Sequence, residues 1–100
     1  MKKLFISQPM RNKTDEQIIM EREEAVRLAT EILGEKVEVL DTFFTDFKED
    51  AKPLHYLAMS IQFLAEADVV YFADGWNKAR GCLIEHQCAI AYDVKCIYSN

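Results

Sequence analysis

Ala67-Asp68-Val69-Val70-Tyr71-Phe72-Ala73-Asp74-Gly75 is the stretch that decides the fold. From Val69 to Ala73 every position is apolar. A continuous run of that kind is expected of a central parallel strand, because crossover helices cover both faces of a parallel sheet. Upstream, Pro53 suits the first turn of a helix. Leu54, Leu57, Ala58, Ile61, Leu64 and Ala65 then match the helical template. Downstream, Asp74 to Lys78 reads as a loop, a further helix runs from near Ala79 to Tyr92, and Lys95 to Tyr98 closes the chain as a strand.

The N-terminal half shows the same switching of period. Lys2 to Ser7 is a short apolar run of strand type, and Gln8 to Lys13 is a loop holding Pro9. Thr14-Asp15-Glu16-Gln17 fits a capping box that opens a helix to about Leu33, with Gly34 as its stop. Ala25, Leu28, Ala29 and Ile32 form the expected buried stripe of that helix. Val37 and Val39 alternate with charged residues in a second strand, Lys36 to Leu40. A longer loop, 41–52, carries Phe43, Phe44 and Phe47.

Strands alternating with helices imply a parallel sheet with right-handed crossovers. The first and third strands are the most apolar and belong at the centre, which gives strand order 2-1-3-4. The expected fold is α/β: a three-layer, flavodoxin/Rossmann-like sandwich with three main helices, in one domain over residues 1–100. Open sheets of this class bind ligands outside the strands' carboxyl ends, where the strand order reverses. Two loops border that crevice, Ser7 to Lys13 and Asp74 to Gly81.

Bulk properties narrow the function. An apolar fraction of 50% with only 29% charged residues argues against disorder. It also suggests that a second subunit covers part of the apolar surface, in a homodimer or higher homo-oligomer. The net charge of −5 gives no electrostatic reason to bind duplex nucleic acid or an anionic membrane. Cys82, Cys88 and Cys96 are odd in number and lack metal-type spacing, so they read as small hydrophobes in a reducing cytosol, with no metal site. The opening MKKLF lacks the apolar region of a secretory signal, and no stretch approaches the ~20 apolar residues of a membrane span. A soluble, cytoplasmic protein is expected. Neither a P-loop nor a dinucleotide fingerprint is present. A Ser/Thr/Gly-rich phosphate loop after the first strand is missing too, so no cofactor is expected.

The richest stretch is Gly75-Trp76-Asn77-Lys78-Ala79-Arg80-Gly81-Cys82-Leu83-Ile84-Glu85. Gly75 permits a tight turn at a strand's end, and Gly81 lets a ligand approach the start of a helix. Free amides there, with Lys78 and Arg80 beside them and Arg11 and Lys13 on the first loop, suit a phosphate or carboxylate. Ordinary solvated loop cations fit the same residues equally well. Trp76 is either a base-stacking ring or a packing anchor. Glu85 lies one to two turns into the third helix, between Ile84 and His86, so its orientation is ambiguous by spacing alone. His55 and His86 are isolated and read as structural or exposed.

Together Leu4-Phe5-Ile6-Ser7-Gln8-Pro9-Met10-Arg11, the Ala67-Asp68-Val69-Val70 strand entry and GWNKARGCLIEHQCAIAY carry a resemblance that spans essentially the full length. They resemble the nucleoside 2-deoxyribosyltransferase-like superfamily, in particular its compact, phage- and prophage-associated branch, whose members mostly lack an assigned function. The resemblance implies that Glu85 is the nucleophile that attacks C1′ of a deoxyribose. By the same resemblance Gln8 and Ser7 match the first-loop segment that touches the sugar or phosphate, and Arg11 matches a loop cation there; Met10, Gly75, Trp76, Lys78, Arg80 and Gly81 complete the expected substrate-binding set. Where active members carry an aspartate in the second helix, this chain has Ser60, a hydroxyl that hydrogen-bonds but is a poor general acid. The tyrosine often found in the first loop is not evident, Phe5 being the nearest aromatic. Asp68 lies at the end of the sheet away from the crevice and reads as structural.

The expected function is cleavage or exchange of the N-glycosidic bond of a (deoxy)nucleoside or its monophosphate. The alternative, favoured by Ser60, is a non-catalytic nucleotide-binding protein of the same fold.

Overall fold

The structure, a computed structural model, describes residues 1–42 and 52–99. Along the chain lie β1 (Lys2–Ser7), α1 (Asp15–Leu33), β2 (Val37–Val39), α2 (Pro53–Leu64), β3 (Val69–Phe72), α3 (Arg80–Ala91) and β4 (Lys95–Tyr98). A short 3-10 turn, Trp76–Lys78, sits between β3 and α3. The four strands form one parallel sheet in the order β2-β1-β3-β4. The expected α/β class, strand order and three helices are all present.

Local chemistry sets the element ends. The Thr14 hydroxyl accepts from the Gln17 amide at 3.1 Å, and the Gln17 side chain accepts from the Thr14 amide at 2.9 Å, closing the capping box of α1. Gly34 ends that helix at φ 70°, a left-handed conformation that costs glycine little. At the amino end of the sheet, the Asp68 carboxylate accepts from the Lys3 amide at 2.8 Å, so Asp68 pins β3 to β1.

Two apolar clusters, one on each face of the sheet, make the three layers. On one face Leu4, Ile6, Val69, Tyr71 and Ile97 pack against Ala25 and Ala29 of α1. Phe5, Val70 and Phe72 on the other face pack against Leu64 of α2 and Ala89 of α3. The small alanines let α1 and α3 approach the sheet closely, and the strand side chains supply the volume.

The helical stripes need two corrections. In the last turn of α1, Leu33 rather than Ile32 packs on the core, and Ile32 is 50% exposed. In α2 only the carboxyl-terminal part reaches the sheet, through Ile61, Phe63 and Leu64. Leu54 is 72% exposed where the amino-terminal part of α2 borders the crevice described below, and Ala58 and Ala65 are exposed as well. The second strand is also shorter than expected, Val37–Val39. Phe43, Phe44 and Phe47 lie outside the described residues. Among the described residues no helix is long and apolar enough to cross a membrane.

Candidate functional site

Parallel pairing places Ser7, the last residue of β1, opposite Phe72, the last of β3. After β1 the chain leaves toward α1 on one face, and after β3 it leaves toward α3 on the other. A crevice of about 950 Å³ opens beside this divergence. Its walls are the first loop (Gln8, Met10, Arg11), the crevice side of α2 (Pro53, Tyr56, Leu57, Ser60) and one face of α3 (Gly81, Ile84, Glu85). Gly81, Ile84 and Glu85 share that face because residues three and four apart on a helix stand over one another. A Cβ at Gly81 would meet nothing within 4 Å, so the start of α3 stands open to whatever enters.

Glu85 resolves the ambiguity of its neighbours by turning inward. It lines the crevice yet is only 7% exposed. Its Oε1 accepts a hydrogen bond from the Ser7 hydroxyl at 2.6 Å, a contact between residues at opposite ends of the chain. Burial raises its pKa to about 7, and the Ser7 hydroxyl opposes that rise by stabilising the ionised form. Cys82, one turn earlier on α3, is buried beside Ser7 and Glu85, and desolvation pushes its thiol up to about 11. The thiol therefore stays protonated and is a poor nucleophile. Glu85 is the one carboxyl among the described residues that line the crevice.

The first loop is held by a polar network. Gln8 donates from Nε2 to Glu21 Oε1 at 3.1 Å and to the Ile18 carbonyl at 3.3 Å, while its Oε1 accepts from Arg22 Nη1 at 3.0 Å. Arg22 also donates to Thr42 Oγ1 at 3.3 Å and to the Leu40 carbonyl at 3.1 Å. Gln8 thus borders the crevice, but its amide is occupied in fixing the loop. Lys13 pairs with Glu21 at 2.7 Å.

The expected group of four cations is accordingly rearranged. Arg11 and Arg80 line the crevice, and Lys52, at the start of α2, joins them. Lys13 is committed to Glu21, and Lys78 lies on the 3-10 turn outside this lining. Gly75 and Trp76 line a different hollow of about 410 Å³ with Asp74, Asn77, Tyr98 and Ser99. The Gly75 φ of 85° accounts for glycine there, since the tight turn after β3 needs a left-handed residue. Trp76 is a packing anchor. Its ring lies 5.1 Å from Phe72, 4.5 Å from His86 and 5.6 Å from Tyr98. His86 is structural too, bonded through Nε2 to the Tyr98 hydroxyl at 2.8 Å, and His55 accepts from the Lys52 amide at 2.9 Å at the start of α2. Phe5 is buried in the core and takes no part in the crevice.

The crevice also holds residues that the sequence patterns do not single out. Tyr56 stands one helical turn before Ser60 on α2, and both line the crevice. Their spacing was the available signal. Arg22 interrupts the apolar stripe of α1 between Ile18 and Ala25, which is the mark of a charge with an internal job. Lys52 and Thr42 flank the undescribed segment, and no pattern pointed to them.

The raised carboxyl of Glu85 fixes the sign of a pH effect. Between about pH 4.5 and about pH 7 the folded protein keeps a proton that the unfolded chain releases, so this group's contribution to stability is lost as pH rises through that window. The stability of Glu85→Gln relative to the parent should increase by about 2–3 kcal/mol from about pH 5 to about pH 8. Urea unfolding of both proteins at the two pH values measures it. Parallel pH dependences would show that Glu85 titrates normally.

No curated protein and no solved structure matches the chain. One family model, described as "Domain of unknown function (DUF4406)", matches residues 2–98. That span includes all four strands, the first loop and Glu85, and the chain belongs to this DUF4406 family.

Proposed function

We propose that the crevice binds a (deoxy)nucleoside or its monophosphate and that Glu85 cleaves or exchanges its N-glycosidic bond, in the manner of the nucleoside 2-deoxyribosyltransferase-like proteins. One observation carries the reading. Glu85 is a buried carboxylate that faces an open crevice with one oxygen held by a hydrogen bond. A carboxylate so placed suits attack on an anomeric carbon, where it stabilises oxocarbenium character and forms a glycosyl ester. As the Glu85–C1′ bond forms, the C1′–N bond breaks and its electron pair leaves with the base, which takes up a proton. Water, or the nitrogen of a second base, then displaces Glu85 from C1′.

The surroundings support a nucleotide-sized ligand. Met10, Leu57 and Ile84 supply apolar surface and Tyr56 an aromatic ring for a base, while Arg11, Lys52 and Arg80 offer charge to a phosphate. Attack requires the ionised carboxylate, so the rate should rise with pH through about 7.

A second reading is binding without turnover. It is favoured by one fact: Glu85 is the only carboxylate among the described residues lining the crevice, and Ser60 stands where an acid for the departing base is expected. We also read the chain as a homo-oligomer, since Leu54 and Met59 leave apolar surface on α2 uncovered in a single copy.

Incubation with a panel of deoxynucleosides and their monophosphates should release free base, and Glu85→Ala should lower the rate by ~10³-fold or more. A parent protein that releases none, yet melts at a higher temperature with nucleotide, establishes the binding reading instead. In size-exclusion chromatography with light scattering, the expected mass is at least twice the 11.6 kDa of one chain. A mass of one chain would rule the oligomer out.

A further inference from the structure

Ser7 ends β1 with only 1% of its surface exposed, so a bound sugar or phosphate has almost none of it to touch. Its hydroxyl is directed instead at Glu85 Oε1, 2.6 Å away, and the buried thiol of Cys82 lies within hydrogen-bonding reach of the same hydroxyl. The backbone around Ser7 is fixed on two sides. It is paired with Phe72 in the sheet, and its carbonyl accepts from the Ala73 amide at 2.9 Å. A donor so rigidly placed has one geometry to offer. We propose that Ser7 is a positioning residue rather than a substrate ligand: it holds Oε1 of Glu85 and leaves Oε2 as the oxygen presented to the anomeric carbon.

The proposal rests on the reading of Glu85 as nucleophile, and its logic is that of a hydrogen bond to a charged group in a dry setting. Such a bond is short and strong, and it favours the ionised state that attack requires. It also removes the rotation that would otherwise let either oxygen, or neither, face the crevice. A near-attack geometry is sensitive to misplacement of that kind. Because Ser7 does not reach the crevice lining, its loss should leave substrate binding alone.

Three measurements test this on the full chain. The first is the titration midpoint of the Glu85 carboxyl carbon, followed by NMR in glutamate-labelled protein and assigned by its absence in Glu85→Gln. Ser7→Ala should raise that midpoint by about one pH unit. In the base-release assay the same variant should lose about 10- to 100-fold in kcat, with KM changed less than about twofold. The third is a matched pair, Ser7→Thr and Ser7→Val, which adds the same bulk with and without a hydroxyl. Thr should stay near the parent in midpoint and kcat, and Val should behave like Ala, so any damage to packing cancels between them.

An unmoved midpoint in Ser7→Ala and Ser7→Val overturns the proposal, as does a rise in KM at constant kcat. A raised midpoint in a protein that releases no base supports Ser7 as the holder of Glu85 while removing the N-glycosidic reading, so the two ideas fail separately.

Discussion

A carboxylate buried at the carboxyl end of a parallel sheet is held by one hydroxyl, and the rest of the site is arranged around that contact. Burying a carboxylate is costly unless hydrogen bonds replace its water. Ser7 supplies such a bond, and the remaining cost appears as the elevated pKa of Glu85. That cost is in keeping with the proposed role of Glu85. The hydrogen bond also ties β1 to α3, joining opposite ends of the chain at the point where the two layers of helices diverge.

Around this pair the polar side chains divide into supports and contacts. Gln8, Arg22, Glu21 and Lys13 bond one another and hold the first loop against α1. Arg11, Lys52 and Arg80 line the crevice and bring positive charge into it, although the chain as a whole carries −5. Local charge of one sign within a cleft of a protein of the other sign attracts small anions without attracting polyanionic surfaces. The apolar walls and the three cations are the features on which the proposed nucleotide ligand rests.

Much of this arrangement was written in short-range patterns. Thr14 to Gln17 and Gly34 mark the ends of α1 because capping is local chemistry, and the apolar runs at Lys2 to Ser7 and Val69 to Ala73 set the strand order because a central strand must be apolar on both faces. The crevice followed from that order. Helical period alone, however, does not say which end of an apolar stripe meets the sheet. In α2 it is only the end at Ile61 to Leu64, and Leu54 is left uncovered. The loop cations were legible as charges but not as partners, since the Lys13–Glu21 pair forms only once the loop folds back on α1. Trp76 likewise takes its place from Phe72, His86 and Tyr98, which come together only in the folded chain. Glu85 was singled out by resemblance, whereas its inward orientation depends on a hydroxyl 78 residues away.

A glycosyl ester on Glu85 can be detected by the mass of the peptide containing it, after rapid acid quenching of the protein with a deoxynucleoside or its monophosphate. An added mass of one deoxyribosyl group, or its phosphorylated form, on Glu85 is the predicted result. Base release with that peptide unmodified, or with the same added mass on another residue, would rule Glu85 out as the nucleophile.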